Sequence, residues 1–521
     1  MSNIPDGEYF PRDPMLFFER AHIGFTRCPH TAQADRTRHP RTSETTPHGL
    51  IAQPPAGSAT PDVAHDSTRV EGARPVSSLD RYFGITALGS TLRTEVIAGI
   101  TTFLAAMYII VVNPAILSKT GMAFPAALTA TVLISFFGSC AMGLYARNPV
   151  LVAPGMGLNA LFAFTMVHGV GMPWQTALGC VFWSGILFAL LAALNVRRFV
   201  VEAIPANLRY AISCGIGLFI TVIGLVNAKL VVSDPVTVVR LAHLSPPTVT
   251  FLIGLALTTV LVARRVNGAL MIGIVVTTLM AIPIGRYWGD GSAYFPKEIA
   301  TATLVNFQGF FAAPDFSGIG QLDLLGALKV AYLPFIFVML FTAFFDTLST
   351  FMSIAEAGNM KDRDGNPRNM RQAMIVDSFS VLISGPLGTS PANAYIESAA
   401  GIAQGGRTGL TAVVCALLFL PFLFLSPMLS LVPAIATAPA LILVGVFMME
   451  SVARIEWHRM DEAIPSFIAL VMIPISYSIT DGIAYSFLAF VVLKLFTGRA
   501  KEIKPAMWIV AALAVLLLTQ M

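Results

Sequence analysis

The chain has 521 residues, of which 55% are hydrophobic and 12% are charged, and its mean hydropathy is +0.73. Ordinary soluble domains carry roughly 25% charged residues, so this composition excludes an ordinary soluble domain and indicates a protein of the lipid bilayer. The formal net charge is only +4, and most of the basic residues fall in loops and in the N-terminal tail. We therefore expect no nucleic-acid partner.

The first 85 residues differ in kind from the rest of the chain. The stretch 40–76 is rich in Pro, Ser, Thr, Gly and Ala and shows no apolar periodicity, which is the composition of disordered segments. The first residues of the chain are polar and lack the apolar region of a signal peptide. These features predict a disordered cytoplasmic tail over 1–85.

Apolar runs that are long enough to cross a bilayer as helices follow this tail. About 14 spans are predicted, at approximately 95–117, 126–146, 149–168, 174–194, 208–227, 247–264, 268–285, 329–351, 373–388, 389–404, 408–432, 437–452, 463–479 and 481–497. A final apolar segment, 505–519, is either an extra span or a helix packed against the bundle.

The basic residues predict how these spans are oriented. With the N-terminus in the cytoplasm, most loop Lys and Arg residues fall on the cytoplasmic side, as the positive-inside rule requires. We therefore expect a multi-pass protein of the cell membrane, either a plasma membrane or an inner membrane, with a cytoplasmic N-terminus.

The two halves of the chain match each other. Their first spans begin near 95 and 329, an offset of 329 − 95 = 234 residues. Because each half has seven spans, an odd number, the halves must cross the membrane in opposite orientations, which is the inverted-repeat architecture of many secondary transporters. The predicted regions are a first repeat, a connecting loop, a second repeat and a C-terminal apolar segment, at 86–290, 291–328, 329–498 and 499–521.

The third span is interrupted at 154–159, where the sequence reads Pro-Gly-Met-Gly-Leu-Asn. Proline lacks an N–H donor and the two glycines favour extended or left-handed backbone, so a continuous helix is not expected. A broken segment at membrane depth is tolerated where it lines a cavity, and its free backbone groups can then meet a ligand. Gly157 and Asn159 are therefore candidate substrate-binding residues; the alternative is a kink with a packed Asn.

The tenth span is interrupted in the same way at 385–391, and Glu397 follows the break. Since 397 − 159 = 238, Glu397 and Asn159 lie at matching offsets in the two halves. A charge in hydrocarbon usually faces a cavity, and the dipole at a helix N-terminus helps to keep a carboxylate ionised. Glu397 is a candidate for binding a ligand with adjacent N–H donors; the alternative is a buried salt bridge with Arg407.

Asp346 is a second carboxylate inside an apolar span, one helical turn from Thr350. A desolvated Asp that takes up and releases a proton is a candidate coupling group for proton symport. The alternative is an Asp that anchors the bundle through hydrogen bonds. Two further carboxylates, Glu95 and Asp377, lie near predicted span ends, where a solvated or interfacial role is expected.

Signatures of enzymes and of metal sites are not found in the sequence. It contains no GxSxG, HExxH or P-loop in a plausible context. Its five cysteines show no metal-ligand spacing, and four of them lie in apolar runs, where cysteine acts as a small hydrophobic residue. We expect no catalytic residue, no metal and no cofactor other than a proton as the coupling ion.

Several motifs resemble those of AzgA-like purine permeases, which belong to the second nucleobase–cation symporter family, the xanthine/uracil permeases. The matching stretches are Gly99–Leu104 with Asn113-Pro114, Pro154–Ala160, Phe345-Asp346-Thr347, Tyr395–Gly401, and Thr437–Ala440 followed by Val444-Gly445. The resemblance runs from about residue 80 to the C-terminus, and its most specific part is the string Tyr-Ile-Glu-Ser-Ala-Ala-Gly.

This resemblance implies an all-α polytopic fold of seven-plus-seven spans with a core domain and a gate domain. Short strands of spans 3 and 10 would meet at the purine site, and the function would be proton-coupled import of adenine, guanine or hypoxanthine. By motif position, Glu397 would hold the N–H edge of the purine, Asp346 with Glu397 would couple protons, and Asn159 would complete the pocket. Backbone amides from Ser390 to Asn393 would contribute. A homodimer is left open.

Two departures from the family pattern bear on the substrate. Many relatives have Gly where this chain has Ser349, and some have a second Asp where this chain has Ala343. Which bases are accepted, and how protons couple, therefore stay open. The alternatives are a uracil- or xanthine-type permease, which the Tyr-Ile-Glu-Ser string disfavours, and an anion transporter of the same fold, which would favour a cationic site. Uncoupled transport is also left open.

Overall fold

The computed structural model describes residues 78–193, 205–234, 238–288, 311–361 and 367–520. Most of the predicted tail and more than half of the predicted connecting loop therefore lie outside the described residues. Within the predicted tail, Ser78–Phe83 forms a helix (α1), and Phe83 is buried against Leu410. The helix α1 thus lies within the segment predicted as the tail.

The described residues are mostly helical, and the helices follow the apolar runs of the sequence. In chain order after α1 they are α2 Leu92–Ala106, α3 Ile109–Leu117, α4 Phe124–Leu144, α5 Met156–Ala160, α6 Trp174–Ala193, α7 Ala206–Asn227, α8 Pro246–Ala263, α9 Ala269–Trp288, α10 Leu333–Ala357, α11 Met370–Leu387, α12 Ser398–Ala403, α13 Gly409–Phe419, α14 Ser426–Leu429, α15 Ala434–Met448, α16 Met460–Ile475, α17 Ile479–Phe496 and α18 Pro505–Gln520. A π-helix, Leu161–Gly169, directly continues α5.

The described part of the chain also contains four short strands: β1 Val152–Pro154, β2 Val231–Asp234, β3 Val238–Leu241 and β4 Ala392–Ala394. They form two antiparallel pairs, β1 with β4 and β2 with β3. The second pair is a local hairpin, whereas the first joins two distant parts of the chain.

In the described part of the chain, eight helical stretches are long and apolar enough to cross a membrane, and one of them joins α2 and α3. They are Leu92–Thr120, Phe124–Leu144, Trp174–Ala193, Ala206–Asn227, Pro246–Ala263, Val330–Ala355, Ala434–Arg454 and Ile479–Phe496. Two shorter apolar helices cover Ala269–Ile282 and Gly409–Phe424. The prediction of a polytopic helical membrane protein is confirmed, while the number of 14 spans and the inverted repeat stay predictions.

Several helix ends follow local sequence signals. The side chains of Thr91, Ser245 and Ser478 each accept a hydrogen bond from a backbone N–H in the first turn of the helix that follows. Such N-caps satisfy a donor that the helix itself leaves free. At the other end of α11, Gly388 has a φ of +84°, a left-handed conformation that stops the helix and that glycine adopts without strain.

The helices pack in two groups. Group 1 consists of α2, α3, α4, α6, α10, α11, α12 and α13, and group 2 consists of α7, α8, α9, α15, α16 and α17. Contacts are dense within each group and sparse between them. The short helix α5 touches α3 and α10 of group 1 and α7 of group 2, so it lies where the two groups meet.

Glu95 joins α2 to the start of α13 through hydrogen bonds. Its carboxylate accepts hydrogen bonds from the backbone N–H groups of Arg407 (2.9 Å) and Thr408 (3.2 Å) and from the hydroxyl groups of Thr408 (2.8 Å) and Thr411 (2.6 Å). Glu95 has no exposed surface, so the expectation of a solvated role is wrong. These donors replace the water that the buried carboxylate has lost.

Lys494 holds one end of group 2 together. Its ammonium lies 2.7 Å from Asp461, 3.4 Å from Glu462 and 2.6 Å from Glu502, and only 1% of the side chain is exposed. The hydrogen bond from Lys494 lowers the pKa of the Glu502 carboxyl. Although these three carboxylates come close enough to hold a metal ion, the lysine already balances part of their charge.

We predict that Glu95→Gln destabilises the folded protein. The amide nitrogen would face donors instead of accepting from them, and a buried group left unsatisfied costs about 1–3 kcal/mol. The midpoint of thermal unfolding of the detergent-solubilised protein should therefore fall. Glu450→Gln is the matched control, because the Glu450 side chain is 83% exposed. Equal midpoints for the two variants would contradict the role assigned to Glu95.

Candidate functional site

The two interrupted spans meet through the strands β1 and β4. Val152 pairs with Ala394, Ala153 with Asn393, and Pro154 with Ala392, in antiparallel register. The pairing continues on both sides, because the N–H of Gly155 donates to the carbonyl of Pro391 (3.0 Å) and that of Tyr395 to Leu151 (2.9 Å). The expectation that short extended segments of these spans meet is confirmed.

Three buried serines complete the hydrogen bonding of these strands. Ser139 accepts from the N–H of Val152 (2.9 Å) and donates to its carbonyl (3.1 Å). Ser398 accepts from the N–H of Leu151, and Ser384 from that of Ala392. These serines supply partners that a helix would otherwise provide, and sequence reasoning missed them, because a serine in an apolar run is not distinctive.

The first break is shorter than the sequence predicts. Only Gly155 is extended after β1, with φ −70° and ψ 129°, and the helix α5 begins at Met156. Gly157 is therefore helical, contrary to the expectation of extended or left-handed backbone. A Cβ atom at Gly157 would lie 2.8 Å from Cγ2 of Ile216 on α7, so this glycine allows groups 1 and 2 to approach closely.

Glu397 lies at the N-cap of α12 and is partly exposed. Its Oε1 accepts a hydrogen bond from the Tyr108 hydroxyl at 2.6 Å. The Arg407 guanidinium instead donates to the carbonyls of Ile402 (2.7 Å) and Gly406 (2.9 Å). Within the described residues no ion pair joins Glu397 to Arg407, so the salt bridge considered from the sequence is not formed there.

Asp346, on α10, is likewise partly exposed. It accepts a hydrogen bond from the side-chain amide of Asn393 on β4. Asn393 is 1% exposed and lies opposite Ala153 in the strand pair. The strand pair thus holds the amide that fixes the Asp346 carboxylate, and β4 leads directly into the turn that carries Glu397.

Asn159 and Ser390 form a buried pair that joins the two interrupted spans. Both have no exposed surface, and the Ser390 hydroxyl donates to the Asn159 side-chain oxygen. Asn113 extends this network, since its side-chain oxygen accepts from the Ser390 hydroxyl (3.4 Å). Its amide nitrogen donates to the hydroxyl groups of Thr131 (2.7 Å) and Thr389 (3.1 Å). In this conformation Asn159 and Ser390 support the site from within, and their contact with a substrate stays a prediction.

Asp377 is a buried carboxylate that sequence reasoning placed wrongly. It has no exposed surface and accepts a hydrogen bond from Thr347, the residue that follows Asp346. Its other oxygen, Oδ1, has no hydrogen-bond partner among the described residues. The helix α11 begins at Met370, before the predicted start of the span at 373, so Asp377 lies about two turns inside the helix instead of near its end.

Arg209 brings a cation from group 2 close to this site. It lies in the first turn of α7, and its guanidinium stacks over the Phe345 ring at 5.2 Å from the centroid. Its Nε is buried without a hydrogen-bond partner among the described residues. Phe345 directly precedes Asp346, so Arg209 packs on the turn of α10 that carries that carboxylate.

The family is decided by a sequence comparison. The family model Xan_ur_permease, described as "Permease family", matches residues 93–517. This chain belongs to that permease family. It is a transporter and not an enzyme. The resemblance recognised from the motifs is thereby confirmed.

Named relatives in this permease family align with this chain over nearly their whole length. Adenine permease AdeP of Escherichia coli (strain K12) is 42% identical over 439 residues, 84% of this chain and 95% of AdeP. Guanine/hypoxanthine permease PbuO of Bacillus subtilis (strain 168) is 39% identical over 429 residues, 81% of this chain and 96% of PbuO.

A solved structure shares the fold. The transmembrane domain of the cyanobacterium bicarbonate transporter BicA matches with a TM-score of 0.54 and 16% identity, over 75% of this chain and 97% of that domain. At this level of identity the likeness concerns the fold alone.

We predict that Gly155→Ala disrupts the site. The added Cβ would lie 2.6 Å from the side-chain oxygen of Asn393, so the amide would have to move and its hydrogen bond to Asp346 would weaken. Overpacking of this kind typically costs about 1–3 kcal/mol. The measurement is the thermal unfolding midpoint together with transport in cells.

Gly318→Ala is the matched control for this prediction. A Cβ at that position meets only Ala126, at an ordinary contact distance of 3.5 Å. The idea fails if Gly155→Ala is as stable and as active as the Gly318→Ala control.

Proposed function

We propose that this protein imports purine nucleobases, namely adenine, guanine or hypoxanthine, across the cell membrane together with protons. The proposal rests on one observation above all: the strand pair β1–β4 holds two partly exposed carboxylates, Glu397 and Asp346, at the place where two interrupted spans meet. The names of AdeP and PbuO supply the substrate class, at 42% and 39% identity.

Glu397 is suited to the N–H edge of a purine. The Tyr108 hydroxyl occupies Oε1 and fixes the orientation of the carboxylate, while each carboxylate oxygen has more than one acceptor direction. A ring N–H and a neighbouring N–H of the base can therefore both donate to this one group. Hydrogen bonds to a charged acceptor are the stronger kind, so Glu397 supplies affinity as well as orientation.

Asp346 is suited to carrying the coupling proton. It is held by Asn393, and the adjacent Thr347 donates to Asp377. Negative charges gathered in a low-dielectric region repel one another, and binding a proton relieves that repulsion. Glu397 belongs to the same set of acidic groups, so proton binding and purine binding influence each other.

The architecture proposed is a seven-plus-seven inverted repeat, in which group 1 is the core domain and group 2 the gate domain. The strand register supports it. Pro154 pairs with Ala392, and 392 − 154 = 238 is the same offset as 397 − 159 = 238 between Asn159 and Glu397. Equivalent positions of two halves face each other in this way when a two-fold axis in the membrane plane relates them.

Transport then consists of group 1 and group 2 moving against each other. Group 1 carries both carboxylates and the strand pair, and the site opens to one side or the other as the contact of α5 with α7 changes. The N-terminus lies in the cytoplasm and the protein in the plasma or inner membrane, as the distribution of Lys and Arg indicates. A homodimer is compatible with this scheme.

The alternatives are weaker. A uracil- or xanthine-type permease of the same family is disfavoured by the names of the relatives at 42% and 39% identity. An anion transporter shares the fold, as the likeness to BicA indicates, but the groups at the strand pair are carboxylates, which repel anions.

Uptake by cells tests the proposal directly. Radiolabelled adenine, guanine, hypoxanthine and uracil are offered to cells that express the chain, with and without a protonophore. We expect saturable purine uptake that the protonophore abolishes. Uptake of uracil alone would favour the alternative permease. Uptake of no base by protein present in the membrane would refute the proposal.

We predict that Glu397→Gln lowers purine uptake about tenfold to a hundredfold at low substrate concentration. This range corresponds to the loss of about 1.5–3 kcal/mol of charged hydrogen bonding. Insertion and thermal stability should stay close to those of the parent protein. Glu450→Gln again serves as the control, and an unchanged KM in Glu397→Gln would remove Glu397 from the site.

We predict that Asp346→Asn separates purine binding from proton coupling. The amide cannot take up and release the proton, so accumulation driven by the proton gradient should be lost while exchange of external for internal base continues. The measurement compares net uptake with counterflow in loaded vesicles. Protonophore-sensitive accumulation at the parental level would show that Asp346 does not carry the proton.

A further inference from the structure

A cavity lies at the C-terminal end of the π-helix, away from the strand pair. Its volume is about 280 Å³, and it lies between the end of the π-helix and the connection from α16 to α17. The residues that matter most in its lining are Phe164, His168, Ser476, Tyr477, Ser478 and Asp481. Aromatic rings, hydroxyl groups and one carboxylate therefore share one small space.

The aromatic rings of this cavity are arranged as planar surfaces. The rings of Phe164 and His168 lie nearly parallel, with centroids 6.2 Å apart and an angle of 28° between planes. Tyr477 meets Phe164 edge to face at 6.0 Å. Tyr477 also has a φ of +55°, a left-handed conformation that is unfavourable for an aromatic residue. Strain of this kind is commonly stored at functional sites.

Phe219 of group 2 packs on the same rings. Phe219 of α7 packs edge to face on both Phe164 (6.4 Å) and Tyr477 (5.1 Å) and has no exposed surface. Phe164 follows Asn159 by five residues, roughly 7 Å along a helix. The aromatic cluster therefore begins about one and a half helical turns after Asn159.

Polar contacts hold group 1 and group 2 together around this cluster. The Lys119 ammonium lies over the Phe164 ring at 5.5 Å and donates to the side-chain oxygen of Asn227 on α7 at 2.6 Å. The N–H of Ile479 on α17 donates to the Thr165 hydroxyl at 3.3 Å. The first contact joins the turn after α3 of group 1 to group 2, and the second joins the π-helix to group 2, so the packing of the rings depends on how group 2 is positioned.

We propose that this cavity is a separate binding site for the purine base, occupied before the base reaches Glu397. The ligand class rests on the proposed function. With the N-terminus in the cytoplasm, this end of the π-helix faces the outside of the cell. The base stacks on the aromatic rings, and Asp481 accepts its N–H groups.

The size of the cavity fits such a ligand. Pockets for drug-sized ligands measure about 300–1,000 Å³, and a cavity of about 280 Å³ lies just below that range, as expected for a ligand as small as a bicyclic base. Aromatic rings add attraction through stacking beyond the area that they bury. The base then enters the carboxylate site when Phe219 and Tyr477 move away from Phe164 as the two helix groups shift.

Equilibrium binding of radiolabelled adenine and hypoxanthine to the purified full chain in lipid nanodiscs tests this site. The parent protein should bind two bases per chain. Glu397→Gln should bind one base, in the cavity and with a weaker affinity than the parent protein shows for its tighter site. Asp481→Asn combined with Tyr477→Asn should keep only the site at Glu397. Asparagine is chosen at 477 because it tolerates the left-handed conformation. Glu450→Gln is the control, and thermal unfolding checks that each variant is folded.

Uptake kinetics provide the second readout. The double variant should raise the KM for uptake from outside about tenfold while leaving the affinity of the Glu397 site unchanged in nanodiscs. The inference is overturned if the parent protein binds one base and Glu397→Gln binds none, which leaves purine import intact. Failure of the proposed function looks different: no base is taken up by any variant. In that case, binding of a base in nanodiscs that is lost in Asp481→Asn would still support the cavity as a binding site. Absence of any binding would overturn both the proposed function and the cavity site.

Discussion

The constraint on which the rest of the structure depends is that backbone groups at membrane depth find no water to bond. Each unsatisfied group in hydrocarbon costs several kcal/mol, so an interrupted span needs a partner. Here the break near Gly155 and the break after Gly388 satisfy each other through β1 and β4. Serine side chains on neighbouring elements supply the remaining hydrogen bonds.

This pairing decides where the two candidate carboxylates lie. Asn393 on β4 holds Asp346, and the turn after β4 carries Glu397, so both carboxylates are fixed to one short piece of backbone. Both carboxylates belong to helices of group 1, Asp346 to α10 and Glu397 to the N-cap of α12. Group 2 reaches the site through close contacts such as that of Ile216 with Gly157. A candidate site that group 1 carries and group 2 contacts fits the proposed movement of the two groups against each other.

The sequence located spans and breaks well but misjudged two carboxylates. The predicted span 174–194 matches Trp174–Ala193, and 208–227 matches Ala206–Asn227, because length and hydropathy are local properties. A solvated or interfacial role was expected for Glu95 and Asp377, yet both are fully buried. The hydrogen-bond donors to Glu95 lie more than 300 positions later in the chain, and no local sequence pattern predicts such a partner.

The sequence by itself determined the class of protein and the positions of the interrupted spans, and it singled out the two carboxylates that the structure places beside the strand pair. It did so because apolar length, Pro and Gly act on the backbone around them. Only the tertiary structure decided which groups share the site: Tyr108 with Glu397, 289 positions apart, and Asn393 with Asp346. Those partners are chosen by how the helices pack, and packing depends on contacts between distant segments that a linear pattern does not encode locally.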